Sequence, residues 1–164
     1  MRSDPGEFKA KVRTIANKIQ CNPHHLMAVM AFETGRTFSP SVRNPRGSAT
    51  GLIQFISSTA NALGTTTTKL AAMTAVEQLD VVEAYFKMQA RGRRFERLSD
   101  LYMAVLFPVA IPKPDGAALF KRGTRNYSSN AGLDINNDGI VTKGEAAAKV
   151  RQQLERGLRP ENRG

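Results

Sequence analysis

Between Asp4 and Ile19 apolar residues return at Phe8, Val12, Ile15, Ala16 and Ile19, the three- and four-residue spacing that lays one stripe along one side of an α-helix. Just ahead, Asp4-Pro5-Gly6-Glu7 supplies a capping acid, a proline at the first helical position and a glutamate at the capping-box site, so a helix is predicted to start there. Asn22-Pro23 repeats the start signal. Leu26, Val29 and Met30 then form a second stripe, which Glu33 joins at i+7 before Gly35 can stop the helix in a left-handed conformation. From Thr34 to Thr50 the periodicity lapses into Ser, Pro, Arg, Asn and Gly, and a loop of that length in a compact domain tends to bind something. Helical patterning resumes from Gly51 to Leu63, with Gly64 as its stop, and again from the box Thr74-Ala75-Val76-Glu77 to about Ala90. Leu101 to Phe107 is apolar nearly all round, which predicts a central buried helix ending before Pro108.

No segment alternates as a strand and no internal repeat is visible, so the pattern predicts an all-α chain. Its 164 residues suit one domain, 1–164, that buries about two-thirds of its unfolded surface. With 41% apolar and 23% charged residues the composition is that of a globular protein, and no apolar run reaches the roughly 18 residues of a transmembrane segment. Cys21 is the only cysteine, which excludes an internal disulfide, and no His or Cys partners stand at zinc-ligand spacing. His24 and His25 adjoin it as first-turn surface residues.

Lys and Arg outnumber Asp and Glu by 24 to 14, for a net charge of +10 and a pI near 10.3, which draws a protein towards polyanions. Nucleic acid and the bacterial envelope both qualify. The densest basic stretch, RGRRFER at 91–97, lacks a nucleic-acid-binding motif around it and is expected to be a solvated helix end or loop. The N-terminus has no apolar h-region, so an ordinary secretory signal is not expected in the chain as it stands.

Glu33 raises the sharpest chemical question. A carboxyl on an apolar stripe loses hydration, which penalises its charged form and raises its pKa, while the negative helix end adds a smaller push in the same direction. An acid still protonated near neutral pH can donate to a glycosidic oxygen. Alternatively, Glu33 is a snorkelling side chain paired with Arg36 at i+3. After Glu33 no acid follows until Glu77. Most glycosidases use two carboxylates; a lone acid fits help from a substrate N-acetyl group, unless the fold brings in Asp80 or Glu83.

A second candidate site is DINNDGIVTKGE, Asp134 to Glu145, which matches the EF-hand calcium loop. Asp134, Asn136 and Asp138 offer oxygens at positions 1, 3 and 5, Gly139 makes the turn, Ile140 offers its carbonyl at 7, Thr142 binds at 9 directly or through water, and Glu145 closes at 12. Without metal the same residues would form an Asn-Asp-Gly turn and a Thr142/Glu145 capping box. The exit helix is clear from Glu145 to Arg156, whereas the entry segment YSSNAGL is a poor helix, so a single structural calcium clamp is expected rather than a sensor.

Glu33, Phe38, Pro40, Gly47 and GLIQFISSTANALG at 51–64 resemble the lytic transglycosylase and goose-type lysozyme superfamily. Its pattern is a catalytic Glu in a Glu-Ser context, a Phe-Asn-Pro loop, then Gly-Leu-Met-Gln and a Thr-Ala helix. The resemblance spans roughly residues 8 to 107 and implies an all-α, lysozyme-like fold with a glycan groove. It also implies Glu33 as acid and base, Gln54 contacting sugars, Ile53 in place of the family's Met, Phe55 lining the cleft, and no catalytic metal. Some members carry one EF-hand-like loop. Thr34 replaces the family's Ser and the Glu-to-Phe spacing is two residues longer. The Ala-Tyr-Asn position reads AVLFP at 104–108, so Tyr102, a turn earlier, is either a substitute or a core residue.

The resulting expectation is a peptidoglycan-cleaving enzyme acting on the MurNAc–GlcNAc bond as lytic transglycosylase or muramidase. It would be a monomer stabilised by Ca2+, active at the bacterial wall, and delivered by phage lysis or a secretion machine, with a cognate inhibitor or delivery partner conceivable. Chitin-like polymers are a related substrate. The rivals are a basic, non-catalytic module for nucleic acid or envelope polymer and a calcium-dependent protein partner.

Overall fold

The computed structural model describes residues 4–45 and 47–162. Nine α-helices are present among them: α1 (Pro5–Ile19), α2 (Pro23–Glu33), α3 (Ser57–Ala62), α4 (Thr67–Ala72), α5 (Ala75–Ala90), α6 (Leu98–Leu106), α7 (Arg125–Ser129), α8 (Lys143–Ala146) and α9 (Ala148–Gly157). The starts follow the capping chemistry. Asp4 accepts from the Gly6 N–H at 2.9 Å and Asn22 from His24 at 2.8 Å, and the Thr74/Glu77 box closes in both directions, each satisfying N–H groups that the first turn leaves unpaired.

α2 lies at the centre. Leu26, Ala28, Val29, Met30 and Ala31 are all buried, because the helix is covered by α1, α6 and α9. α6 is likewise buried from Leu98 to Ala104. It stops where Phe107 turns extended (φ −157°) ahead of Pro108, the geometry that a following proline imposes. α1 packs on α5 along Phe8, Val12, Ile15, Ala16 and Ile19. No helix is long and apolar enough to cross a membrane among the described residues.

Three expectations are corrected. The chain is mostly helical but not all-α: β1 (Ala118–Lys121) and β2 (Ile140–Thr142) form a two-stranded antiparallel sheet pairing Phe120 with Val141 and Lys121 with Ile140. Strands of four and three residues are too short to show alternation; what specifies them is pairing across the chain, with Phe120 packed on Phe107 at 5.3 Å between ring centroids. The helix expected from Gly51 begins only at Ser57. Residues 51–54 form a turn closed by reciprocal Thr50–Phe55 backbone hydrogen bonds of 3.0 and 2.8 Å, with Gly51 and Gln54 at positive φ. The exit helix of the acidic loop starts two residues early, at Lys143, and is divided at Ala147. α4, nucleated by the Thr66 hydroxyl accepting from Lys69, was not anticipated.

The 91–97 stretch is the α5–α6 loop. Arg91 and Gly92 take left-handed conformations, and Phe95 is buried as its anchor between exposed basic residues.

Candidate functional site

Glu33 is the last residue of α2. The next residues turn the chain sharply: the Thr34 hydroxyl donates to the Met30 carbonyl at 2.7 Å and accepts from the Phe38 N–H at 3.0 Å. Gly35, Arg36 and Phe38 all have positive φ. The half-buried Glu33 carboxyl makes no ion pair or hydrogen bond among the described residues, so the alternative of a Glu33–Arg36 pair is not formed. Burial pushes its pKa from 4.5 up to about 7. No charged group contributes to that shift, in accord with an acid that loses water and gains nothing in return.

Two tyrosines face the acid. Tyr102 from α6 stacks edge-on against Phe32 at 5.7 Å, and burial, followed by the Glu33 charge, raises its hydroxyl pKa. Tyr85 from α5 donates to the Ala104 carbonyl; burial first pushes its pKa up to about 12, a Gln89 hydrogen bond opposes, and Glu33 adds to the rise. The anticipated second acids lie elsewhere. Asp80 pairs with Lys11 at 3.0 Å, and Glu83 with Lys87 at 2.8 Å and Lys18 at 3.8 Å, so both are held by lysines and neither acts on Glu33.

The 51–54 turn is fastened to the preceding loop. Gly51 N–H donates to Val42 at 2.8 Å, and the Gln54 side-chain amide donates to the carbonyls of Val42 (3.1 Å) and Gly51 (3.0 Å). That commits the Gln54 nitrogen and leaves its oxygen as an acceptor for a ligand. Of the anticipated substrate contacts, Gln54 is half-buried, while Thr34, Ile53, Phe55 and Tyr102 are buried, so these four offer a ligand no open surface.

Sequence reasoning missed Gln78. It is 0% exposed, accepts from Leu52 N–H at 2.7 Å, and donates to the carbonyls of Pro40 and Leu70, each at 2.9 Å. One amide thus joins the 34–50 loop, the 51–54 turn and α4. A Cβ on Gly51 would stand 2.4 Å from the Gln78 oxygen, which is why a glycine begins the GLIQ turn. The signal was available: Gln78 sits on the stripe Ala75, Leu79, Val82, Phe86, as Glu33 does on its own.

The acidic loop is closed by its own hydrogen bonds. Asp134 accepts from the Tyr127 hydroxyl at 2.7 Å, Gly139 N–H at 2.9 Å and Asp138 N–H at 3.3 Å. Burial pushes its carboxyl up, but these donors outweigh that and hold it below the usual range. Glu145 accepts from Ile135 N–H at 3.0 Å with one oxygen and from Thr142 N–H at 3.2 Å with the other, so the capping box is present. Oxygens of Asp134, Asp138 and Glu145 lie within 4.8 Å of one another. Opposite ligands around Ca2+ at about 2.3–2.6 Å stand about 5 Å apart, so the set fits one such ion, with Asn136, Ile140 and Thr142 as further oxygen donors. No second such loop lies among the described residues, and β2, formed by Ile140–Thr142, pairs with β1.

Backbone strain singles out the same regions. Six non-glycine residues have positive φ among the described residues. Gln20 and Arg91 are helix C-caps, where that conformation is routine. The other four are Arg36, Phe38, Gln54 and Asn137, in the loop after Glu33, the 51–54 turn and the acidic loop, and such conformations cluster at functional sites. A groove of about 810 Å³ between α1, α2 and α9, lined by Val12, Met27 and Leu154 among others, does not include Glu33. No model of a known protein family matches the chain, and no curated protein matches it.

Proposed function

We propose that the protein is a peptidoglycan-cleaving glycosidase of lysozyme-like architecture, a lytic transglycosylase or muramidase, with Glu33 as its acid and a structural Ca2+ held by residues 134–145. The observation that carries this reading is the Glu33 carboxyl itself: half-buried, without an ion-pair partner among the described residues, and with its pKa raised to about 7 by burial. A general acid works best with a pKa near the operating pH. The resemblance to the transglycosylase superfamily at Glu33 and 51–64 supports the substrate class, and the Gln54 oxygen supplies an acceptor for a sugar hydroxyl or amide.

Glu33 donates its proton to the bridging oxygen as the C–O bond to MurNAc breaks. With no second carboxylate in the Glu33 loop, the electron deficiency at the anomeric carbon is met by the carbonyl oxygen of the substrate's own N-acetyl group. Glu33, now ionised, then takes a proton either from the sugar's 6-hydroxyl, giving an anhydro end, or from water, giving a reducing end. Calcium, when bound, supplies charge neutralisation among Asp134, Asp138 and Glu145 and takes no part in these steps.

The test is Glu33→Gln on purified sacculi, with fragments weighed. The reading expects release of fragments by the native chain and none by the variant; full activity of the variant overturns it. The net charge of +10 favours a second reading, a basic module for polyanions, which predicts DNA binding that weakens steeply with salt and no fragment release.

A further inference from the structure

Lys143 occupies position 10 of the acidic loop, where the calcium pattern asks for no particular residue, yet it is 0% exposed. Its ammonium spends all three protons: on Asp100 Oδ1 at 2.5 Å, on the Ile111 carbonyl at 2.8 Å and on the Lys113 carbonyl at 2.7 Å. Lysine is almost never fully buried unless paired in this way. The backbone reinforces the join, with Lys143 N–H donating to Ala117 (3.0 Å) and Gly144 N–H to Asp115 (2.8 Å). Asp115 in turn accepts from the Ser99 hydroxyl at 2.6 Å.

Asp100 belongs to the first turn of α6 and also accepts from Arg97 N–H at 3.2 Å. Two and four residues further on, the same helix presents Tyr102 against Phe32, next to Glu33, and the Ala104 carbonyl to the Tyr85 hydroxyl. The two tyrosines are the titratable groups facing Glu33, from α5 and α6. A short rigid helix therefore has the acidic loop fastened at one end and the walls of the Glu33 site along its middle.

We propose that Lys143 is a positioning residue: through Asp100 it fixes α6 to the metal loop, so that the order of the loop sets the placement of Tyr102 and Ala104 around Glu33. The inference rests on Glu33 as the acid, but its structural half is measurable without activity. The segment 111–117 and α6 are the coupled bodies, and the loop's Glu145 and Thr142 flank the strut directly.

The experiment uses the full chain with calcium, comparing native protein, Lys143→Met, and the double variant Lys143→Met/Asp100→Asn, which also removes the Asp100 charge. The readouts are the NMR titration of the Glu33 carboxyl, the Tyr102 ring resonances, and fragment release from sacculi. In folded variants the Glu33 midpoint and the Tyr102 resonances move, and release falls roughly two- to thirty-fold, a coupling of about 0.5–2 kcal/mol. A folded single or double variant with native titration and native Tyr102 resonances overturns the proposal. Should neither variant fold, withdrawing calcium from native protein decides: resonances of 134–145 that shift while those of α6 stay fixed overturn it, and concerted shifts support it. Native protein that releases no fragments refutes the enzymatic reading, while the NMR readouts still decide the coupling.

Discussion

Glu33 and Asp134 are both half-hidden or buried carboxyls placed at the edge of helical structure, and their surroundings push them in opposite directions. Around Glu33 are Tyr102, Tyr85 and the apolar stripe of α2, with no donor to the carboxylate, and its pKa climbs to about 7. Around Asp134 are the Tyr127 hydroxyl and the N–H groups of Gly139 and Asp138, and its pKa falls below the ordinary value. Burial acts on both; the number of hydrogen bonds to the anion decides the sign. The first environment favours the neutral acid, and the second favours the carboxylate anion.

The sharpest way to break this contrast is Glu33→Gln. Loss of a general acid removes roughly 10²–10⁴-fold of rate, measured as fragment release. Its stability should move the other way. Because the folded pKa is raised, ionising Glu33 costs the folded state more than the unfolded one. The penalty is absent below pH 4.5, grows as pH rises, and is complete above pH 7, where it amounts to about 3 kcal/mol. Melting curves across pH 4 to 8 should show the variant gaining on the native protein as pH increases.

Next in size is Lys143→Met, which leaves Asp100 with Arg97 alone, its N–H at 3.2 Å and its guanidinium at 3.8 Å, and costs about 3 kcal/mol of stability by denaturant titration. Calcium at 100 times its Kd should stabilise the native chain by about 2.7 kcal/mol, and chelation should remove that gain. Gly51→Ala sets a methyl 2.4 Å from the Gln78 oxygen and strains a residue at φ +86°, a cost of about 1–3 kcal/mol. Its readout is thermal melting together with hydrogen exchange at Leu52.

Much of this was legible in the sequence where the physics is local. Caps at Asp4, Asn22 and Thr74 act within three residues, and periodicity placed Glu33 on its stripe. The 134–145 segment is contiguous, so its Asn-Asp-Gly turn and Thr142/Glu145 capping box followed from spacing. What escaped depends on distant partners. The 51–54 turn is specified by Val42 and by Gln78, 26 residues beyond Leu52, and local pattern there favoured a helix. β1 exists because β2 needs an edge to pair with, and Lys143 looks like an ordinary loop lysine until Asp100, 43 residues earlier, is folded against it.

The central claim is most directly tested by following the Glu33 carboxyl carbon by NMR from pH 3 to 9 in the native chain. A midpoint near 7, with the Asp134 carboxyl titrating below its ordinary value in the same sample, is the expected result. Glu33 ionising in the ordinary carboxylate range would contradict it.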